Sequence, residues 1–492
     1  MPKTNGRRPP NIILIITDQQ RFDTIAAHGY NYMDTPHLDR LVNEGVSFSR
    51  CFVNAPSCGP SRASLFTGYT PHNNGALRNN APWPRTWVHD LGAAGYRCVN
   101  LGKMHAEPYE GMHGFHERQV VENKQRRFAE PLWTGNPHPF NDEWDKALQR
   151  RGLRRLEQED FIHREHRFEE LGAYDWWYDD DLHPDTFVGD MALNWLKQAL
   201  PTDDQPFFLE IGFPGPHPPF DPPRSYAKPY LEKDLPMLPA TDAEMEVQPQ
   251  GIRALRDSLI ERFADSIAFD PHASDENRHR QRAYYFGNIT LIDEKVGEIM
   301  AALEERGDLE NAVVIFTSDH GELLGDHGLI EKWNMYEYAV RVPLIVWSPG
   351  RYDANRTIDS LVQWFDIGPT ILELAGVEPP STFEALSLLP LLENDPTASG
   401  REYVFSEHAP DPILNTIQYM LMIRNQRWKL VEFVGETEGQ LFDLEADPDE
   451  LHDLWDDPGH AEIKADLKTR LHDWFVTSTA TATPWRNPIR YE

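Results

Sequence analysis

Four apolar runs, each followed directly by polar residues, predict a buried and mainly parallel β-sheet. The clearest runs are residues 11–17 and 312–317, which are rich in β-branched side chains, and weaker runs of the same kind lie at 97–102 and 207–213. Continuous apolar runs of this length are typical of strands buried on both faces. Since open α/β sheets bind ligands at the carboxyl ends of their strands, the residues after each run are candidates for a site.

Helical patterns lie between these runs. The best example places apolar residues at spacings of three and four, at Ile289, Ile292, Val296, Ile299, Met300 and Leu303. This periodicity predicts an amphipathic helix with one buried face. Strands that alternate with such helices predict a doubly wound α/β sheet flanked by helices.

The pattern also predicts a division into a large domain, residues 1–400, and a small C-terminal subdomain, residues 401–492. Residues 106–190 and 224–279 have little periodicity and are predicted to be insertions in the large domain. The C-terminal part has short apolar runs at 419–423, 427–433 and 440–444 and a helical pattern at 463–475, which predicts a small antiparallel sheet with a packed helix. The tail, 478–492, has no periodicity, and we interpret it either as a frayed terminus or as an arm that builds a homo-oligomer.

Composition restricts the partners of the chain. Its 492 residues include 47 basic and 79 acidic side chains, a formal net charge of −32. Such a charge disfavours nucleic acid and anionic membrane surfaces as partners, because binding to them needs clustered Lys and Arg. An anionic substrate would also be repelled, so any anion site must be locally positive.

The cysteine count and the apolar runs indicate the compartment. Three cysteines do not suggest a disulfide framework, and no run reaches the roughly 18 apolar residues that a membrane span requires. The N-terminal apolar run is short for a signal peptide and lacks a small-residue cleavage site. We therefore expect a cytoplasmic protein.

The strongest chemical signal is the string Ser-Cys-Gly-Pro-Ser-Arg at residues 57–62. A proline soon after Cys58, followed by helix-forming residues, predicts that Cys58 lies near a helix N-terminus, where free N–H groups favour an anion. Arg62, one turn later, adds a planar, permanently charged group that suits a tetrahedral oxyanion. This combination predicts an oxyanion site with a reactive residue in it.

Two polar pairs follow the two clearest strands. Asp18 and Gln19 come directly after the first run, and Asp319 and His320 come after the fourth. Two carboxylates, an amide oxygen and an imidazole form a suitable shell for a divalent cation, which Cys58 and a substrate oxygen would complete. The sequence therefore predicts one metal site at the carboxyl edge of the sheet.

The string Cys-x-Pro-Ser-Arg, followed by Leu-x-Thr-Gly at 65–68, resembles the signature of the type I, formylglycine-dependent sulfatases of the alkaline phosphatase superfamily. The resemblance implies an alkaline-phosphatase-like fold with its catalytic domain in residues 1–400. It also implies that a formylglycine-generating enzyme oxidises Cys58 to formylglycine, whose hydrate attacks sulfur. The reaction would hydrolyse a small-molecule sulfate monoester to an alcohol or phenol and inorganic sulfate through a covalent sulfo-enzyme.

Three further motifs extend the resemblance. Gly-Lys-Met-His at 102–105 is similar to the family motif in which the equivalent of Lys103 contacts sulfate and that of His105 positions a formylglycine hydroxyl and accepts its proton. His217, in a proline-rich loop, matches a histidine that binds sulfate or protonates the leaving oxygen. Lys332 resembles the family's C-terminal sulfate-binding lysine. Asp326 and His327, which accompany it, are predicted to support the loop.

Departures from the commonest family pattern leave the metal and the substrate open. Many members have Asp-Asp and Asp-Asn where this chain has Asp-Gln and Asp-His, and in this respect the chain resembles choline sulfatases and phosphonate monoester hydrolases. An imidazole ligand makes Mn²⁺ an alternative to Ca²⁺. The alternatives to a sulfatase are a phosphonate monoester hydrolase or phosphodiesterase with the same nucleophile, and a non-catalytic relative that binds oxyanions. The leaving group could be an aryl, alkyl or sugar moiety.

Overall fold

The computed structural model describes residues 9–124, 141–198, 205–410 and 419–486. Its strands are β1 (Asn11–Asp18), β2 (Val46–Phe52), β3 (Arg97–Gly102), β4 (Glu117–Val120), β5 (Phe207–Pro216), β6 (Ala312–Ser318), β7 (Arg341–Trp347), β8 (Arg356–Ile358), β9 (Val362–Gln363), β10 (Val404–His408), β11 (Met420–Arg424), β12 (Trp428–Phe433) and β13 (Gly439–Asp443). Its α-helices are α1 (Pro36–Glu44), α2 (Cys58–Thr67), α3 (Pro71–Asn74), α4 (Val88–Ala93), α5 (Glu143–Arg150), α6 (Gln158–Ile162), α7 (Arg167–Glu170), α8 (Pro184–Gln198), α9 (Arg224–Leu231), α10 (Asp242–Val247), α11 (Gln250–Arg262), α12 (Asp275–Glu305), α13 (Glu337–Val340), α14 (Ile367–Leu374), α15 (Leu389–Leu392) and α16 (Ala461–Arg486).

The large sheet is mixed and mostly parallel. Its strand order is β4-β3-β5-β1-β6-β7-β2-β8, and β9 pairs with β2. The four strands predicted from apolar runs are the adjacent strands β3, β5, β1 and β6, which are parallel to one another. Strand β7 is antiparallel to both of its neighbours. The α/β fold class is confirmed, and the four predicted strands deliver their carboxyl ends to one edge.

Strand β1 shows why a continuous apolar run marks the centre of such a sheet. Ile12, Leu14 and Ile16 pack into one buried cluster, and Ile13 and Ile15 pack into the cluster on the opposite face. All five are fully buried. Each face is covered by helices, so the run cannot alternate with polar residues.

The long helix α12 is the main cover of one face. It begins after the N-cap Ser274, whose side chain accepts a hydrogen bond from the backbone N–H of Asn277. The predicted stripe from Ile292 to Leu303 packs against the cluster that contains Ile13 and Ile15. The amphipathic pattern therefore identified both the helix and its buried face.

The C-terminal part forms the predicted antiparallel sheet, with four strands in the order β10-β11-β12-β13. Strands β11, β12 and β13 match the three predicted runs, and β10 was not predicted. Helix α16 covers this sheet through Leu467 and Leu471, which are fully buried. The division at residue 400 stays a prediction. Among the described residues, no helix combines the length and the apolar character that crossing a membrane requires.

The prediction of an irregular tail from residue 478 is wrong for its first part, because α16 continues to Arg486. The buried positions Leu467, Leu471, Ser478 and Ala482 lie on one stripe of the helix. Ser478 and Ala482 are small and weakly apolar, so they give little hydrophobic signal. The Ser478 hydroxyl accepts a hydrogen bond from Asn73 at 2.8 Å, which ties this part of the tail to its own chain. Residues 487–492 lie outside the described residues, and a homo-oligomer built by them stays a prediction.

Replacement of Leu471 by Ala should lower the free energy of unfolding by about 2–5 kcal/mol, because it leaves a cavity between α16 and the small sheet. The matched control is Val476→Ala on the same helix, where the side chain is 67% exposed and the expected loss is below about 0.5 kcal/mol. Urea-induced unfolding of the two variants measures the difference. Equal losses would contradict the packing of α16 described here.

Candidate active site

The residues with predicted chemistry meet where three elements end or begin. Asp18 is the last residue of β1, Asp319 directly follows β6, and Cys58 is the first residue of α2. Strands β1 and β6 pair in register, with Thr17 opposite Ser318, so the two aspartates lie side by side. Each of Asp18, Cys58, Asp319 and His320 contributes one ligand atom to a cluster whose members lie within 4.8 Å of one another. All four side chains are buried.

Arg62 connects the members of this cluster. Its Nε lies 2.7 Å from Asp319 Oδ2 and its Nη2 lies 3.3 Å from Asp18 Oδ2. Nη1 donates to the carbonyl oxygen of Lys103 at 2.8 Å. Burial opposes the charge of Arg62, but Asp319 and Asp18 outweigh burial and raise the pKa of the guanidinium above its ordinary value. Arg62 is therefore a fixed positive charge inside the protein.

The cluster fits a divalent cation, and the tautomer of His320 is the observation that shows it. His320 Nδ1 lies 3.0 Å from the carbonyl oxygen of Gly321, which can only accept, so Nδ1 carries the proton. The lone pair of Nε2 then points into the cluster, 3.0 Å from Cys58 Sγ. A hydrogen bond that fixes the second ring nitrogen in this way is typical of metal-binding histidines. Asp18, Asp319, His320 and position 58 are the residues that would hold an ion.

The Asp18 carboxyl is held in its charged form. Burial would raise its pKa, but the charges of Lys103 and Arg62 outweigh burial and lower the pKa well below its ordinary value. A charged carboxylate is the form that a metal ion or a cationic side chain requires.

Gln19 lies beside the cluster but contacts other partners. Its backbone N–H donates to Asp319 Oδ1 at 3.1 Å, and its amide oxygen accepts from Lys332 at 2.6 Å. Its amide nitrogen donates to Glu322. The Gln19 backbone has a φ of 72°, an uncommon conformation that is typical of functional sites. The role of Gln19 as a metal ligand stays a prediction.

Lys103 and His105 follow β3, as their motif predicts, and approach from the next strand end. Lys103 Nζ lies 2.7 Å from Asp18 Oδ2. His105 has a φ of 56°, and its backbone N–H donates to the buried carboxylate of Glu122 at 3.0 Å. Burial lowers the pKa of His105 well below its ordinary value, and the positive charge of Lys103 lowers it further, so the imidazole is neutral. A neutral imidazole can accept a proton.

His217, which directly follows β5, and Lys332, in the segment between β6 and β7, form a second pair beside the cluster. His217 Nε2 lies 3.0 Å from Lys332 Nζ, and its Nδ1 contacts the carbonyl oxygen of Pro218 at 2.8 Å. Burial, together with the smaller effect of the positive charge of Lys332, lowers the pKa of His217 to about 3. Lys332 is the donor in this pair, because the neutral imidazole offers it a lone pair.

Sequence reasoning missed three acidic residues around the site. Glu322 accepts from Gln19, Glu122 anchors the backbone of His105, and Asp265 lies beside both His217 and Lys332. Glu322 follows β6 within the motif of Asp319, so its position offered a signal. Asp265 lies in an insertion without periodicity, and nothing in the sequence singles it out.

Asp326, in contrast, has the structural role that was predicted for it. Its carboxylate is buried and contacts Arg21 at 2.8 Å and also Arg282. These contacts join the loop after β6 to β1 and α12.

Comparison with known proteins identifies the family. The family model described as Sulfatase matches residues 10–377. The chain belongs to the sulfatase family. A second model, described as the C-terminal part of N-sulphoglucosamine sulphohydrolase, matches residues 325–476. The resemblance that the motif at Cys58 carried is thereby confirmed, and the chain is an enzyme of the sulfatase class.

Among curated relatives, an arylsulfatase of Clostridium perfringens is 31% identical over 453 residues, 90% of each chain. The multifunctional alkaline phosphatase superfamily protein PehA of Trinickia caryophylli is 30% identical over 97% of each chain. The choline-sulfatase of Rhizobium meliloti is 28% identical over 92% of this chain and 84% of that protein. The sulfatase relatives therefore match this chain over most of its length.

Solved structures give the same fold. The phosphonate monoester hydrolase of Agrobacterium radiobacter superposes with a TM-score of 0.78 at 26% identity, covering 95% of this chain and 96% of that one. BT4656, solved with its substrate D-glucosamine-2-N,6-O-disulfate, has a TM-score of 0.72 at 22% identity and covers 98% of this chain and 100% of that one. The alkaline-phosphatase-like fold predicted from the motifs is confirmed.

The purified protein should contain one divalent ion per chain, and His320→Ala should lower the metal content at least about tenfold, because it removes the ring nitrogen that faces the cluster. His452→Ala is the matched control, since its side chain is 80% exposed. Elemental analysis by mass spectrometry after gel filtration measures both. Unchanged metal content in His320→Ala would contradict the assignment of the cluster as a metal site.

Proposed function

We propose that this enzyme hydrolyses an organic sulfate monoester to an alcohol or phenol and inorganic sulfate, with Cys58 as its nucleophile after oxidation to formylglycine. The observation that carries the proposal is the position of Cys58. It begins helix α2, faces the metal-site residues Asp18 and His320, and lies 3.0 Å from His320 Nε2. A reacting group at this point would lie among the positive charges that a sulfate requires.

Three buried cations provide the locally positive site that a chain of net charge −32 needs. Arg62, Lys103 and Lys332 are each at most 1% exposed and surround the cluster. Such preorganised charges stabilise the charge that develops on sulfuryl oxygens during transfer. The metal ion, when bound, would add Lewis-acid stabilisation of an oxygen in the site. Either Ca²⁺ or Mn²⁺ suits this donor set.

Different side chains around Cys58 are assigned to the different proton transfers of the reaction. Formylglycine hydrate supplies a geminal diol, one hydroxyl of which attacks sulfur as the bond from sulfur to the leaving oxygen breaks, and its proton replaces in net terms the proton that the leaving oxygen takes up. The second hydroxyl later loses its proton, and the aldehyde re-forms as the bond from its carbon to the sulfate oxygen breaks and sulfate leaves. His105 is neutral and follows Lys103 at the end of β3, so we assign it the proton of that second hydroxyl. Lys332 and His217 are assigned to the leaving oxygen, with Lys332 as the donor of the pair.

A phosphonate monoester hydrolase or phosphodiesterase with the same nucleophile is the second candidate. Two observations favour it: the 0.78 TM-score to the Agrobacterium radiobacter phosphonate monoester hydrolase, and the 30% identity to the multifunctional protein PehA. The arylsulfatase and choline-sulfatase relatives favour the sulfatase. A non-catalytic role is disfavoured because Cys58, Arg62, Lys103 and His105 are all present. The three cysteines are unpaired, which supports the predicted reducing, cytoplasmic location.

Tandem mass spectrometry of the tryptic peptide of residues 51–62, alkylated before digestion, tests the nucleophile. In protein from its native host, Cys58 should appear as a hydrazine-reactive aldehyde, because a formylglycine-generating enzyme is present there. Cys51 lies in the same peptide and should be alkylated, which provides an internal control. Alkylated thiols at both positions would contradict the formylglycine mechanism.

Steady-state kinetics on a matched aryl sulfate, phosphonate monoester and phosphodiester should give the highest kcat/KM for the sulfate. Cys58→Ala should reduce turnover of all three to background, because it removes the nucleophile. Cys98→Ala is the matched control, since Cys98 is a buried thiol in β3 that contacts backbone carbonyls. A higher kcat/KM for the phosphonate would reject the sulfatase in favour of the second candidate. Equal activity in Cys58→Ala would reject both.

A further inference from the structure

Asp265 places a carboxylate beside the two residues assigned to the leaving oxygen. Its Oδ2 lies 3.4 Å from His217 Nε2 and 3.6 Å from Lys332 Nζ. It belongs to the loop between α11 and α12, far from the metal-site residues in sequence. None of the motifs at Cys58, Lys103 or Asp319 includes it.

The loop that carries Asp265 has an unusual backbone. Phe263, Asp265 and Ser266 have φ values of 48°, 47° and 69°, a conformation that costs non-glycine residues free energy. Three such residues within four positions persist only where the surrounding structure imposes them. Strain of this kind concentrates at functional sites.

The other insertion holds this loop in place. Gln158 in α6 donates to the carbonyl oxygen of Phe263 at 2.9 Å, and the hydroxyl of Tyr174 contacts the carbonyl oxygen of Ser266 at 3.4 Å. The guanidinium of Arg167 lies 5.9 Å from the Phe263 ring. The two insertions that sequence analysis singled out therefore meet at this loop and fix the position of Asp265.

The exposed fractions of these side chains indicate which of them a leaving group would contact. The side chain of Asp265 is 21% exposed, against 6% for His217 and 1% for Lys332. Lys332 is almost fully buried, and its Nζ also contacts the amide oxygen of Gln19 at 2.6 Å. Glu331, which also contacts Asp265, is fully buried. Burial raises the pKa of Glu331 well above its ordinary value, and the neighbouring carboxylate of Asp265 raises it further. Of these four side chains, the carboxyl group of Asp265 is the most exposed and is therefore the one that a leaving group meets first.

We propose that Asp265 is a specificity residue that selects sulfate esters whose leaving group carries an ammonium or a hydroxyl near the scissile oxygen, and rejects those with an anionic group there. The inference rests on the proposed function, because it takes the leaving oxygen to lie at His217 and Lys332. An ammonium or hydroxyl group about four or five bonds from that oxygen, as in a meta-substituted phenyl ester, can reach Asp265, whereas a second anion there would be repelled by it.

The test uses three phenyl sulfates with a meta substituent, trimethylammonium, hydroxymethyl or carboxylate, on wild type and Asp265→Asn. Asparagine is chosen because it tolerates positive φ and removes only the charge. The variant should lower kcat/KM for the ammonium ester about tenfold and raise it for the carboxylate ester, since the charge interaction is lost. Each ester is compared with itself between the two proteins, so its intrinsic reactivity cancels.

Two controls separate specificity from damage. Asp257→Asn changes an exposed acidic residue of α11 in the same insertion and should leave all three ratios within twofold of wild type. Melting temperatures show whether Asp265→Asn is folded. Calorimetric binding of the ammonium and carboxylate esters to Cys58→Ala, with and without Asp265→Asn, gives the same preference without turnover.

The outcomes distinguish the inference from the function on which it rests. A uniform change for all three esters, together with an unchanged binding preference, would overturn the role of Asp265. Methylphosphonate monoesters of the same three phenols are assayed in parallel. Turnover of the phosphonate esters and not of the sulfate esters would reject the sulfatase. The ratio of kcat/KM between wild type and Asp265→Asn, compared among the three phosphonate esters, would still support or overturn the selectivity of Asp265.

Discussion

The fully buried guanidinium of Arg62 holds the centre of this protein together. It contacts Asp18 at the end of β1, Asp319 after β6 and the carbonyl oxygen of Lys103 after β3. An unpaired charge in such a place would be strongly destabilising, whereas two carboxylates and a carbonyl offset most of the cost of its burial. Arg62 therefore links three strand ends to the first turn of α2, so the packing of the sheet and the geometry of the site stabilise each other.

The same concentration of charge reconciles an acidic protein with an anionic substrate. Most of the acidic excess has no part in the site, where Arg62, Lys103 and Lys332 are buried against a small number of carboxylates. Buried charges are weakly screened, so a few cations can dominate the local field. Their carboxylate partners are also the residues that would bind the metal ion, which couples binding of the ion to the position of the cations.

Chemistry and selectivity have separate structural sources in this chain. Apart from Lys332, which lies between β6 and β7, the groups assigned to sulfate and the metal ion come from the ends of sheet strands and the start of α2, which a packed core holds in place. Asp265 comes from a loop held by a second insertion. A rigid scaffold with variable loops lets one family keep its reaction while the leaving group changes.

The sequence by itself determined the central strands, the polar pairs after β1 and β6, and the string around Cys58. These signals are local: β-branched runs mark strands covered on both faces, and the residue types that chemistry demands stand together in short motifs. It did not reveal β2 or β7, the helical course of residues 478–486, or the contact between the Gln19 amide oxygen and Lys332.

Only the tertiary structure decided these features, because each depends on partners distant in the chain. Ser478, for example, is buried where its hydroxyl meets Asn73 of α3. Asp265 becomes part of the site only when two insertions without periodicity meet. Local pattern reports which face of an element is apolar, whereas the pairing of distant loops depends on contacts that no short stretch of sequence encodes.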